Sequence, residues 1–170
     1  MRKTKNLLYS ALGAALIAAS AMLSVPAPVP FTLQSLAVLI VAGVLGEKRG
    51  SAAVLVYLLL GAVGVPVFSG FRCGVGVLLG ATGGYLLGFL PMAWLTGYTG
   101  RIWKRPFFGM LLATAVLYAV GTAWYAILYG GSIGSVLLTC VVPFLVPDAI
   151  KAVLALYLTR RIRASINIHN

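Results

Sequence analysis

Acidic side chains are almost missing from this sequence. Glu47 and Asp148 are the only two, against 13 lysines and arginines, for a net charge of +11. Histidine occurs once, as His169 beside the C-terminus, and the two cysteines, Cys73 and Cys140, stand far apart. These absences exclude whole classes of chemistry. A metal site needs a cluster of His, Cys or carboxylate ligands at set spacings, and none exists. Acid–base or nucleophilic catalysis needs two groups in reach of each other, such as paired carboxylates or a nucleophile with its base. No lysine follows a glycine and no G-x-G-x-x-G occurs, so the chain has neither a Walker A loop nor a dinucleotide fingerprint. The cysteines are read as small apolar side chains.

Charged residues make up only 9% of the chain and hydrophobic ones 61%, with a mean hydropathy of +1.04. A soluble domain of this size cannot hide that much apolar surface, so its solvent is mostly lipid. A strongly basic chain can bind nucleic acid, but that requires cations gathered on one soluble face. Here they fall in short runs between apolar stretches of helix length, which is the pattern of membrane topology and not of nucleic-acid binding.

Apolar runs and breakers predict an all-α integral membrane protein, one membrane domain over residues 1–170. Six transmembrane helices are expected, at about 7–23, 32–45, 51–63, 80–97, 107–128 and 147–163. The first run follows Arg2, Lys3 and Lys5 and is longer than a signal-peptide core, so it is read as an uncleaved helix. Pro26, Pro28 and Pro30 break the chain after it, Gly46–Gly50 form a polar turn, and Gly130-Gly131-Ser132 turn it again. Helices 2 and 3 are shorter than the roughly 20 residues that span a bilayer. Their outer ends, at 25–31 and 65–80, are therefore expected to re-enter as loops around a ligand pocket.

With the N-terminus inside, the inner segments carry Arg2, Lys3, Lys5, Lys48, Arg49, Arg101, Lys104, Arg105, Arg160, Arg161 and Arg163, which is 11 of the 13 cations. That satisfies the positive-inside rule with both termini cytoplasmic. Arg72, Asp148 and Lys151 are the charges left over. Each costs roughly 2.5 to 3.5 kcal/mol at mid-membrane, so such residues usually serve a ligand or ion path. Asp148 and Lys151 share a helix face at i, i+3 and can pair with each other. Asp148 follows Pro147, read as the first helical residue, and gains from the helix dipole. Acceptors on Asp148 and donors on Lys151 suit a solute with both N–H and C=O groups. Gly80, Gly84 and Gly88 recur every four residues and are read as close-packing positions. Phe68, Arg72 and Tyr85 are read as pointing into a cavity from an irregular loop. Ala11, Ala15 and Ala19, and likewise Ala14 and Ala18, recur at a four-residue period on helix 1. Such a stripe admits a close neighbour, either inside the fold or on a partner protein.

Four segments in order carry a family resemblance: Pro30-Phe31-Thr32-Leu33-Gln34, Gly64-Val65-Pro66-Val67-Phe68-Ser69-Gly70, Thr82-Gly83-Gly84-Tyr85, and Pro143-Phe144 followed by Asp148 and Lys151. Together they resemble the BioY family, the biotin-specific substrate-binding subunits (S components) of energy-coupling-factor (ECF) transporters. The match covers nearly the whole chain. It implies six helices and capture of biotin from outside, in a bacterial or archaeal cytoplasmic membrane. It also implies a complex with a transmembrane coupling protein and two cytoplasmic ATPases, which would supply the ATP chemistry. The alanine stripe of helix 1 would then face the coupling protein.

For biotin, the resemblance and the chemistry imply that Asp148 accepts a ureido N–H and Lys151 donates to the ligand. Arg72 or Lys151 would neutralise the carboxylate tail. Phe31, Phe68 and Tyr85 would line the ring, with Thr82 nearby and Gln34 hydrogen-bonding it. Neither a cofactor nor catalysis is implied. Two other readings are a stand-alone carrier or channel, which predicts uptake by this chain alone, and a membrane-embedded lipid enzyme, which would need a nucleophile with a base or a metal cluster where the chain offers two acidic residues and one histidine beside its end. A related vitamin as ligand is a further alternative.

Overall fold

The computed structural model describes residues 2–25, 30–130 and 133–165. Pro26, Pro28, Gly131, Ser132 and His169 lie outside the described residues. Helix dominates, as the apolar runs require. The long elements are α1 (Arg2–Met22), α2 (Gln34–Ala62), α4 (Gly83–Ile102), α5 (Pro106–Tyr129) and α7 (Leu145–Ser165), with short α3 (Val75–Leu79) and α6 (Ile133–Cys140) between them.

The 29-residue α2 is two rods. Gly46, at φ 82° and ψ 177°, breaks it into arms at 34–45 and 47–62. A straight helix would separate Ala42 from Gly50 by about 12 Å. Instead, a Cβ on Gly50 would stand 2.7 Å from the Ala42 Cα, so the arms fold back on each other. Six long rods therefore stand among the described residues. The expected polar turn at 46–50 shrinks to one residue, because Glu47, Lys48 and Arg49 are good helix formers and only glycine reaches that conformation easily.

The two arms of α2 form the middle of the bundle, packed against α1, α4 and α7, while α5 packs on α4. Val38, Val54, Tyr57 and Met92 are fully buried there. α4 approaches the α2 turn through Gly97, where a Cβ would run into the backbone of Glu47. Many large apolar side chains face outward, among them Leu12, Leu59, Ile127, Leu138 and Val153. Three stretches, Thr4–Met22, Pro106–Tyr129 and Gly134–Ser165, are long and apolar enough to cross a membrane. This is a helical membrane protein, with lipid on its outer faces.

At the end of the bundle away from Gly46, the chain is irregular. β1 (Ser24–Val25) and β2 (Phe31–Thr32) pair antiparallel, Ser24 with Thr32 and Val25 with Phe31, so helix 2 starts at Gln34 and not at residue 32. A 3-10 turn at Ser69–Phe71 and α3 precede α4, and a second 3-10 turn at Val142–Phe144 precedes α7. Three sequence expectations need correcting. Gly80 lies outside the helix and closes α3, so only Gly84 and Gly88 act as packing glycines, against Trp124 and Leu117 respectively. Helix 4 accordingly begins at Gly83. Pro147 is the third residue of α7, because the helix starts at Leu145 directly from the 3-10 turn; Asp148 nevertheless stays in its first turn.

Candidate functional site

The irregular end surrounds a small cavity that opens at that end of the bundle. Seven of the eight ligand-site candidates line it: Asp148, Lys151, Arg72, Tyr85, Phe68, Gln34 and Thr82. The eighth, Phe31, is not among the lining residues. Its ring stacks on Phe144 at 6.3 Å and lies 4.2 Å from Lys151 Nζ. It backs the lysine and Phe144.

The charged centre is built by α7 and the start of α2. Lys151 Nζ donates to Asp148 Oδ1 at 2.7 Å, to the Thr32 carbonyl at 2.8 Å and to Ser35 Oγ at 3.1 Å. Its three N–H groups are thus all engaged. Asp148 Oδ1 also accepts from Ser35 Oγ at 3.4 Å, and Oδ2 accepts from the Tyr118 hydroxyl at 2.7 Å. Both residues are buried, at 6% and 5% exposure. A desolvated pair survives only with such extra hydrogen bonds. Oδ2, with a single partner, keeps a lone pair for a further donor.

The loop after α2 carries the remaining cation. Phe68 is 1% exposed, its ring lying over Gly61, where any Cβ would collide with it. It meets Tyr57 edge-to-face at 5.6 Å. The Phe68 N–H donates to the Arg72 carbonyl at 3.0 Å, which closes a tight loop whose tip, Phe71, sits at φ 59°. Arg72 Nε donates to the Ser69 carbonyl at 3.1 Å, and the side chain stays exposed at the cavity. Glu47 is paired with Arg101 and Asp148 with Lys151. No other acidic side chain exists in the sequence, so Arg72 has no carboxylate partner among the described residues.

Gln34 is committed to structure as well as to the wall. Its Nε2 donates to the buried Tyr57 hydroxyl, and its Oε1 accepts from Thr32 Oγ1 at 3.1 Å. The Tyr85 hydroxyl points at α6, donating to the Cys140 carbonyl at 3.0 Å, so its ring is what the cavity meets. Thr82 sits just before the first turn of α4. The sequence reading missed Ser35, Tyr118 and Phe144 as site residues. Phe144 was at hand in the Pro143-Phe144 motif; Ser35 and Tyr118 lie in apolar helices with no charge to mark them. Two of the five helix 1 alanines face inward: Ala14 is 2% exposed and Ala18 packs against the core. Ala11, Ala15 and Ala19 remain exposed on the outer face.

The sequence profile of the BioY family matches residues 1–168. The chain belongs to the BioY family. A probable biotin transporter of Pyrococcus horikoshii is 38% identical over 164 residues, covering 96% of this chain and 99% of that one. A biotin transporter of Thermotoga maritima is 39% identical over 165 residues, covering 94% and 96% respectively. A crystal structure of the S-component for biotin from an ECF-type ABC transporter superposes with a TM-score of 0.87 at 31% identity, covering 96% of this chain and 93% of that one. BioY proteins are transporter subunits and not enzymes.

Proposed function

We propose that this BioY chain is the substrate-binding subunit that captures biotin from outside the cell for ATP-driven uptake by an ECF-type transporter. The observation that carries the reading is the cavity itself. It brings into one lining the buried Asp148–Lys151 pair, an exposed Arg72 with no carboxylate partner among the described residues, and the rings of Phe68, Tyr85 and Phe144. Biotin has matching parts: ureido N–H donors, an apolar thioether ring and a carboxylate tail.

In this reading the free lone pair of Asp148 Oδ2 accepts a ureido N–H. Lys151 stays paired with Asp148 and gives up its longest bond, to Ser35, to donate to the ureido oxygen. Arg72 neutralises the tail, and the rings of Phe68 and Tyr85 enclose the apolar part. Phe31 acts from behind Lys151. The chain lies in a bacterial or archaeal cytoplasmic membrane with both termini inside, the cavity outward and the basic end inward. Its partners are a coupling protein, seated against Ala11, Ala15 and Ala19, and two ATPases that supply the nucleotide site this sequence lacks.

Mass spectrometry of the small molecule that co-purifies with the chain tests the ligand, and labelled-biotin binding to Lys151→Ala tests the site. Biotin in the first and a large loss in the second are expected. A different vitamin, or full affinity in Lys151→Ala, overturns the assignment. Concentrative uptake into vesicles by this chain alone would favour a stand-alone carrier.

A further inference from the structure

At the opposite end from the ligand cavity, the Gly46 turn, the end of α4 and the last turns of α7 surround an open cleft. Lys48, Arg49, Arg101 and Arg163 line it together with Glu47, and four cations against one carboxylate leave a net charge of +3. Glu47 is taken by Arg101 at 3.0 Å, with its own side chain only 14% exposed. The one other acid, Asp148, is held by Lys151 in the ligand cavity. Lys48, Arg49 and Arg163 thus face the cleft from two separate elements, and among the described residues no carboxylate is left to answer them. Such a cleft calls for an anion.

The surroundings say which kind. Apolar Val44 and Leu45 share the lining with the cations. Along α4 an aromatic ladder leads into it: Trp94 and Tyr98 stack at 5.1 Å, and the Arg101 guanidinium lies 5.7 Å above the Tyr98 ring. Trp94 is 48% exposed. Tryptophan and tyrosine on the outside of a membrane helix mark the headgroup level. Basic pockets between helices at that level bind anionic headgroups. A soluble anion would use the cations but not the apolar lining or the ladder.

We propose that this cleft binds the phosphate of an anionic phospholipid, with Lys48, Arg49 and Arg163 as its cations and the lipid body lying along Trp94 and Tyr98. The proposal rests on the membrane orientation given above but not on the choice of biotin.

The test uses purified full-length chain in detergent. Phosphatidylglycerol, phosphatidylcholine and inorganic phosphate are each added while Tm is followed and retained lipid is counted by native mass spectrometry. Phosphatidylglycerol is expected to raise Tm and stay bound, and the other two to do neither. The Lys48→Gln/Arg163→Gln variant should retain roughly tenfold less phosphatidylglycerol. The charge-keeping Lys48→Arg/Arg163→Lys variant should retain it fully, and both should bind biotin as the parent does. Equal stabilisation by phosphatidylcholine, full retention by the Gln variant, or an equal effect of inorganic phosphate overturns the proposal. Loss of biotin binding with lipid retained would count against the ligand-site reading and leave this one standing.

Discussion

Asp148 and Lys151 illustrate how a buried charge is tolerated only as part of a set. Each is nearly inaccessible, and together they use Thr32, Ser35 and Tyr118 as further partners. Removing one partner leaves the other charged in a poorly hydrated cavity, at a cost of about 3–5 kcal/mol. Lys151→Ala is therefore expected to lower Tm markedly, and the Asp148→Asn/Lys151→Met double variant to recover most of it while still failing to bind biotin. Denaturation monitored by circular dichroism, beside a binding assay, separates the two effects. Tyr118 is a positioning residue: its hydroxyl fixes Oδ2 of Asp148. A hydrogen bond to a charged group is worth about 1.5–3 kcal/mol, so Tyr118→Phe should weaken biotin at least tenfold, chiefly through a faster off-rate, with the fold intact. Sequence reading found the charged members because charge is costly in lipid. It missed Tyr118 because α5 is apolar on every side, and a helix surrounded by lipid and protein alike shows no polar face by which to orient it.

Among the elements, the long rods were legible and the connections were not. Apolar runs bounded by glycine, proline and basic clusters marked six rods, with ends that differ from the structure by up to five residues, but not which rods pack together. The β1–β2 ribbon, α3 and the 3-10 turns are two to five residues long, too short for any hydrophobic period to mark them. The loop from 63 to 74 depends on one contact in particular, the Phe68 ring over Gly61. Gly61→Ala should push Phe68 out of place, costing about 1–3 kcal/mol of stability and weakening the ligand along with it. Thermal unfolding and biotin titration of that variant check both, and an unchanged affinity would show that the Phe68 position is not needed. Gly46 makes the opposite case: its positive φ is demanded by the backbone alone, with no neighbour where a Cβ would stand.

At the scale of the molecule, charge is sorted along one axis. Arg72, Asp148 and Lys151 stand at the ligand cavity, while Glu47, Lys48, Arg49, Arg101 and Arg163 stand around the cleft at the other end. Composition alone made this separation visible, because so few charges had to be placed. In right-side-out vesicles, an impermeant thiol reagent should label Arg72→Cys and spare Lys48→Cys, in a Cys73→Ser background because Cys73 is itself exposed. The same label on both, or the reverse, would refute the orientation. The exposed alanine stripe belongs to this scale too. If a coupling protein seats there as proposed, Ala15→Leu should cut its co-purification while leaving biotin binding unchanged, since Ala15 is not among the cavity-lining residues.

The most direct test is calorimetric titration of biotin into the purified chain, without partners, beside Asp148→Asn of matched helicity. Tight saturable binding by the parent, weakened at least a hundredfold (about 2.7 kcal/mol) in the variant, is the predicted result. A parent chain that binds no biotin, or a variant that binds it as tightly, would contradict the claim that this cavity grips the vitamin through Asp148.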